Sequence, residues 1–289
     1  MEPPQRTWAA FACLLEVKLE AENDRRGGRW RDHRQVINGI LWKLRTGAPW
    51  RDLPERYGPW QTCYDRFVRW RRDGTWDRLL AHAQTKSDAV GEVEWEVSVD
   101  STVARAHQHA AGARKESSHV DAKKGVVHPP DEALGRGRGG FSSKVHLTCE
   151  GKGRPLSVIV TPGQRHESTQ LEALLDGIGV KRVGGGRPRK RPERLIADKG
   201  YDFPRCRKLL RRRAIPHTIP ERRDRRERRS KRPGRPPSFE RSTYARRNVG
   251  ERCVGRLKQW RSVAIRYEKR ALNYRAVVVI ASLMIWLAS

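Results

Sequence analysis

Two stretches set the fold: E-W-E-V-S-V-D at Glu94–Asp100 and E-R-L-I-A-D at Glu193–Asp198. Each is a short, apolar-rich run of strand length that stops on an aspartate. Working outward, strands are expected at Glu94–Asp100, Phe141–Thr148, Leu156–Thr161, Arg194–Asp198 and Ile215–Ile219. Helices are expected at Glu167–Asp176, Pro204–Arg213 and Ser242–Gln259. The order is three strands, a helix, a strand, a helix, a strand, a helix. Hairpin-connected strands followed by strand–helix units predict an α/β domain, a mixed sheet with flanking helices.

The chain has 289 residues and carries 62 Lys+Arg against 33 Asp+Glu, a net +29. That balance favours a polyanionic partner over an acidic protein or a neutral metabolite. A basic structural protein of ribosomal type is the bland alternative. Ten Trp and organised apolar segments exclude a merely disordered basic tail. The five Cys are scattered and form no C-x-x-C pair, which argues against a zinc ribbon or a disulfide framework and for a reducing cytoplasm. No signal peptide is read at the start. The apolar run Ala276–Ala288 is too short to span a bilayer and is expected to pack on the core as a helix or strand.

Residues 1–24 are hard to place, and residues 25–88 read as helical and basic. Val36, Ile37, Ile40, Leu41 and Leu44 recur at helical spacing and give one apolar face. Thr46-Gly47-Ala48-Pro49 stops that helix, and Tyr64, Phe67, Val68, Trp70 and Trp76 mark a second helical unit. Arg66, Arg69, Arg71 and Arg72 are interleaved there. This pattern resembles a small all-α, helix-turn-helix-like DNA-binding unit with arginines on its outer face. A plain helical bundle with solvated arginines is the other reading. The division expected is 1–88 for this region and 89–289 for the α/β domain. Within the latter, Ala104–Gly140 reads as a mobile loop. Glu221–Pro237, a basic low-complexity run, reads equally as a solvated linker or as a phosphate-contacting arm.

Three acids fit one another: Asp100 and Asp198 at strand ends, and Glu251 on a later helix. Mg²⁺ prefers carboxylate and water oxygens, and two such ions can stabilise both the attacking and leaving oxygens of a phosphodiester displacement. A strand-terminal Asp by itself is weak, because many are turn residues or helix caps. The segment around Glu251 adds weight. At about 100° per residue, Tyr244, Arg247, Glu251 and Lys258 fall on one narrow face of a continuous helix. Val249, Cys253, Leu257 and Trp260 fall on the opposite one. An amphipathic surface helix with ordinary charge pairing has the same pattern.

The spacing Tyr244, Arg247, Glu251, Lys258 resembles the Y-R-E-K signature of bacterial insertion-sequence DDE transposases. I-A-D-K-G-Y-D (Ile196–Asp202) resembles the second-Asp motif of that family, and V-D-S-T (Val99–Thr102) its first. L-R-T-G-A-P-W-R-D-L-P (Leu44–Pro54) resembles its N-terminal helical region, and G-R-P-L-S-V-I-V-T-P-G-Q-R-H-E (Gly153–Glu167) its central hairpin. The resemblance implies a ribonuclease-H-like catalytic domain. It implies Asp100, Asp198 and Glu251 as catalytic metal ligands for two Mg²⁺ ions, with Mn²⁺ able to substitute. Tyr244, Arg247 and Lys258 are implied as contacts to transposon-end DNA. The reaction implied is cleavage at terminal inverted repeats, followed by joining of the 3′-OH ends to target DNA. A homodimer in the synaptic complex and a nucleoid-associated bacterial cytoplasm are implied with it. No covalent protein–DNA intermediate is implied, so Ser101 and Tyr201 read as supporting rather than nucleophilic. A nuclease without strand transfer, and a DNA-binding repressor that keeps only the fold, remain the alternatives. A zinc site at His107 and His109, with His119, His128 and His146 near in sequence, is disfavoured by irregular spacing.

Overall fold

The computed structural model describes residues 32–113, 120–121, 126–127, 131–137, 139–231 and 236–288. The chain divides into two compact units. One comprises Gln84–Ala104 and Ala133–Arg256; the other comprises Met1–Ala83, Arg105–Glu132 and Leu257–Ser289.

The first of these is built on a mixed sheet. Its strands are β1 (Glu96–Ala106, whose last two residues belong to the other unit), β2 (Gly140–Cys149), β3 (Pro155–Pro162), β4 (Arg194–Ala197) and β5 (His217–Thr218), with a short further strand, Gly135–Gly137, antiparallel to β2. β2 and β3 form an antiparallel hairpin with a register shift at Thr148/Cys149. The order then runs β2-β1-β4-β5, with β4 parallel to both β1 and β5. The mixed α/β architecture is the one expected. Leu195, Ile196 and Ala197 are all fully buried, as are Val97 and, nearly so, Ser98 and Val99. Consecutive buried residues mean that both faces of these central strands are covered; β4 accordingly reads as an unbroken apolar run, whereas β1 alternates in sequence and buries its polar Ser98 along with Val97 and Val99. Helices α1 (Leu171–Asp176) and α2 (Pro204–Arg212) lie in this unit, with Leu171, Leu174, Leu175, Leu209 and Leu210 buried.

The other unit holds helices at His33–Thr46 and Trp60–Arg72, most of Thr75–Ala89, and Ala271–Leu287. Asp32 caps the first by accepting from Arg34 N at 2.9 Å, and Gly47 ends it in the left-handed conformation (φ 71°) that a Cβ disfavours. Val36, Ile37, Ile40, Leu41 and Leu44 are all buried, as their spacing predicts. The apolar run near the C-terminus is a helix with Ala276–Trp286 entirely buried. Among the described residues no helix is long and apolar enough to cross a membrane.

Several expectations need correction. The four arginines of Trp60–Arg72 do not all line an outer face. Arg66 is only 4% exposed, stacks on Trp70 and bonds His33 Nδ1 at 2.8 Å. Helical spacing put it beside the apolar stripe, where its stem fills the core and its head finds an internal partner. The expected loop at Ala104–Gly140 begins with the end of β1 and a short helix, Gln108–Ala111; much of the rest, with His119 and His128, lies outside the described residues. The basic run contains an eight-residue helix, Arg223–Ser230, with no buried residue.

The largest correction concerns Ser242–Gln259. It is two helices, Arg241–Ala245 and α3 (Asn248–Lys258), separated by a turn. Arg246, Arg247, Val249 and Gly250 donate to carbonyls three residues back rather than four. The backbone tightens there, so one 100° wheel does not extend from Tyr244 to Lys258. Arg246 leaves the helical surface to pair with Glu96 at 2.9 Å and Glu94 at 3.2 Å.

Candidate functional site

The sheet brings Asp100 and Asp198 together. Val99 is opposite Ala197 in parallel register. The two aspartates are therefore the next residue along each of two neighbouring strands, which run about 4.8 Å apart. Asp198 caps the short 3₁₀ turn Lys199–Tyr201, and its Oδ1 accepts from Gly200 N at 2.9 Å. A helix-cap role and a catalytic one do not compete here, because the capping bond is what fixes the carboxylate. Asp100 Oδ1 accepts from Ser101 N at 2.8 Å. Each acid is thus held by a backbone N–H just beyond it.

Electrostatics reflect this crowding. Burial raises the Asp100 carboxyl to about 6, against the Ser101 N–H and the Arg247 guanidinium, with Asp198 and Glu167 adding to the rise. Burial and then Glu167 raise Asp198. Arg247 opposes the rise at both aspartates, so one cation serves the pair.

Glu251 stands differently. It is exposed at the start of α3, and its carboxylate is paired with Arg247. A Cβ built on Gly250 would lie 3.5 Å from Asp100 Cβ, so the helix start rests against the first aspartate. Tyr244 is half-buried, with the Arg247 guanidinium 5.9 Å from its ring centre. Lys258 is exposed.

One participant was not singled out from sequence. Glu167, the last residue of the hairpin motif, accepts from Ser101 Oγ at 2.8 Å and pairs with Lys144 at 3.4 Å. Its signal was its place in G-Q-R-H-E, but nothing local shows that this glutamate returns to the sheet end. Tyr201 is buried, with a hydroxyl that finds no partner, and burial pushes it well above the usual phenol range. Like Ser101, it is held in supporting surroundings.

A half-buried set of carboxylates that raise one another's proton affinity favours a cation beside it, and an all-oxygen set suits a hard divalent ion such as Mg²⁺ or Mn²⁺. The chemistry of the residues fits. The arrangement is not closed: among the described residues no three His, Cys, Asp or Glu side chains are gathered around one point. Glu251 is turned toward Arg247 instead. Of the described histidines, His107 and His109 stack at 4.8 Å, and His146 is buried with Nε2 bonded to Thr161; His119 and His128 lie outside the described residues.

Comparison with known proteins agrees with this picture. Residues 4–80 match the family model "Putative transposase of IS4/5 family", and residues 92–287 match "Transposase DDE domain". A "Putative transposase for insertion sequence element IS402" of Burkholderia cepacia is 34% identical over 129 residues, 45% of this chain and 55% of that protein. An uncharacterised Sinorhizobium fredii protein is 43% identical over 84 residues, 29% of this chain and 63% of that protein. A "Putative transposase for insertion sequence element IS6501" of Brucella ovis is 28% identical over 151 residues, 51% of this chain and 99% of that protein. The chain therefore spans 63% of the length of the Sinorhizobium relative and 55% of that of the Burkholderia transposase. The pre-cleavage Mos1 transpososome aligns over 92% of this chain and 81% of its own at 13% identity, with a TM-score of 0.26, too low to bear on the fold. With one family model covering residues 92–287, the chain belongs to the insertion-sequence transposases that carry the DDE domain.

Proposed function

We propose that the chain is a DNA transposase that cleaves at the terminal inverted repeats of its element and joins the 3′-OH ends to target DNA. The observation that carries this reading is the in-register placement of Asp100 and Asp198 one residue past the last paired position, Val99 opposite Ala197, of two adjacent parallel strands. Asp100, Asp198 and Glu251 are the proposed catalytic residues and would hold two Mg²⁺ ions, with Mn²⁺ able to substitute. Bound ions would supply charge neutralisation at the attacking and leaving oxygens of an in-line displacement.

The chain's own residues do the rest. The Ser101 and Gly200 N–H groups orient the two aspartates before substrate arrives, so less reorganisation is needed during reaction. Arg247 can exchange its Glu251 partner for a phosphate, since guanidinium binds either in the same forked geometry. That exchange would release the Glu251 carboxylate toward Asp100 as DNA docks. Tyr244 and Lys258 would contact the same transposon end. Residues 1–88 would serve as the DNA-binding region and 89–289 as the catalytic domain. Two ends must be held together, which favours a homodimer in the synaptic complex, working at the nucleoid in the bacterial cytoplasm.

Incubation with labelled terminal repeats and supercoiled target tests this. Products joined to target are expected. Cut ends alone would make the protein a nuclease, and binding alone a repressor.

A further inference from the structure

Glu167 touches the holders of both aspartates. Its Oε1 accepts from the hydroxyl of Ser101, whose N–H orients Asp100. Its Oε2 faces Gly200, whose N–H orients Asp198: a Cβ built there would lie 2.8 Å from Glu167 Oε2 and 2.9 Å from Asp198 Oδ1. Only glycine leaves room for two carboxylates against one backbone position. Lys144, on the neighbouring β2, balances the charge at 3.4 Å. Glu167 itself opens a short 3₁₀ turn capped by His166 and followed by buried Ser168, so its backbone is anchored.

We propose that Glu167 is the positioning residue of the acid site, a single carboxylate that links the strand residue orienting Asp100 to the turn orienting Asp198 and sets their spacing before DNA binds. The inference rests on the transposase reading of those aspartates and adds a fourth acid to it. Glu167 acts through Ser101 and Gly200, so its loss leaves both aspartates present but loosely held. Partners one step removed from an ion commonly change its affinity by 10–100-fold.

The test is Mn²⁺ binding to the full-length, DNA-free protein, by calorimetry and electron paramagnetic resonance. Glu167→Ala should weaken Mn²⁺ about tenfold or more. Glu167→Gln, which still accepts from Ser101, should lose less and should melt like wild type in EDTA. Ser101→Ala should weaken Mn²⁺ in the same direction. The Ser101→Ala/Glu167→Ala double variant should be no worse than Glu167→Ala, because the two share one link. A merely structural role would not produce that coupling. Unchanged Mn²⁺ affinity in both Glu167 variants, or additive losses in the double variant, overturns the inference. Asp198→Asn is the separate control: if it binds Mn²⁺ like wild type, the acid pair is not an ion site and the underlying reading fails with the inference.

Discussion

The sheet positions of Asp100 and Asp198 contrast with the helix start at Glu251. The aspartates are half-buried, fixed by backbone N–H groups and rooted in strands whose neighbours Val99 and Ala197 are inaccessible. Glu251 is exposed on a helix whose first turn is broken off from the preceding one, and its partner is a flexible arginine. The difference teaches that a three-acid site need not be built to one stiffness. Two members are set by the sheet, where displacement would cost core packing. The third sits on the exposed face of a helix whose other face is buried through Val249, Cys253 and Leu257, so its side chain, not its helix, is free to change partner.

Breaking the rigid half has the largest expected effect. Asp198→Asn should abolish cleavage while leaving affinity for terminal-repeat DNA in EDTA near wild type; matched losses of both would show the residue to be structural. On the mobile half, Arg247→Ala removes a charge-assisted contact worth about 1.5–3 kcal/mol, so end affinity should fall about tenfold or more in a gel-shift titration. Its effect on stability should be under about 1 kcal/mol, because the Arg247–Glu251 pair is partly exposed.

The pH response sharpens the comparison further. Asp100 is held at about 6 in the fold against 3.8 in the unfolded chain. Between those values the folded protein binds more protons than the unfolded, so this group's contribution to stability falls as pH rises and stays reduced above about 6. Asp100→Asn should therefore be more stable than wild type at about pH 7.5, on the order of 1–2 kcal/mol after allowance for partial exposure. That advantage should vanish near about pH 4, as read by urea denaturation at both pH values. The smallest effect distinguishes the two glycines of α3. Gly255→Ala meets nothing within 4 Å and should add about 0.5–1 kcal/mol of stability with unchanged cleavage. Gly250→Ala gains similar helicity but places its methyl 3.5 Å from Asp100 Cβ, so cleavage should drop while the melting temperature does not.

What was legible in the sequence follows from the same physics. The strand before Asp198 was readable because both its faces are buried and leave an unbroken apolar run; the strand expected at Glu94–Asp100 exists but continues to Ala106, six residues past the aspartate. The β2–β3 hairpin was placed within a residue or two. Glu167 escaped notice because its partners Ser101 and Lys144 are 66 and 23 residues away in sequence. The break at Arg246–Arg247 was hidden because the amphipathic spacing continues across it, while its cause, ion pairs to Glu94 and Glu96, lies some 150 residues upstream. Arg66 was misplaced because charge suggests solvent, whereas its neighbours His33 and Trp70 give it an interior berth. Periodicity reports which face a residue occupies, not who waits there.

The unit containing the first described helices also includes Leu257–Ser289, with the buried helix Ala271–Leu287. During synthesis at about 5–20 residues per second, the N-terminal portion of that unit must wait on the order of ten seconds or more for the stretch that completes it. A prematurely terminated polypeptide would carry the whole acid centre yet lack a finished partner unit.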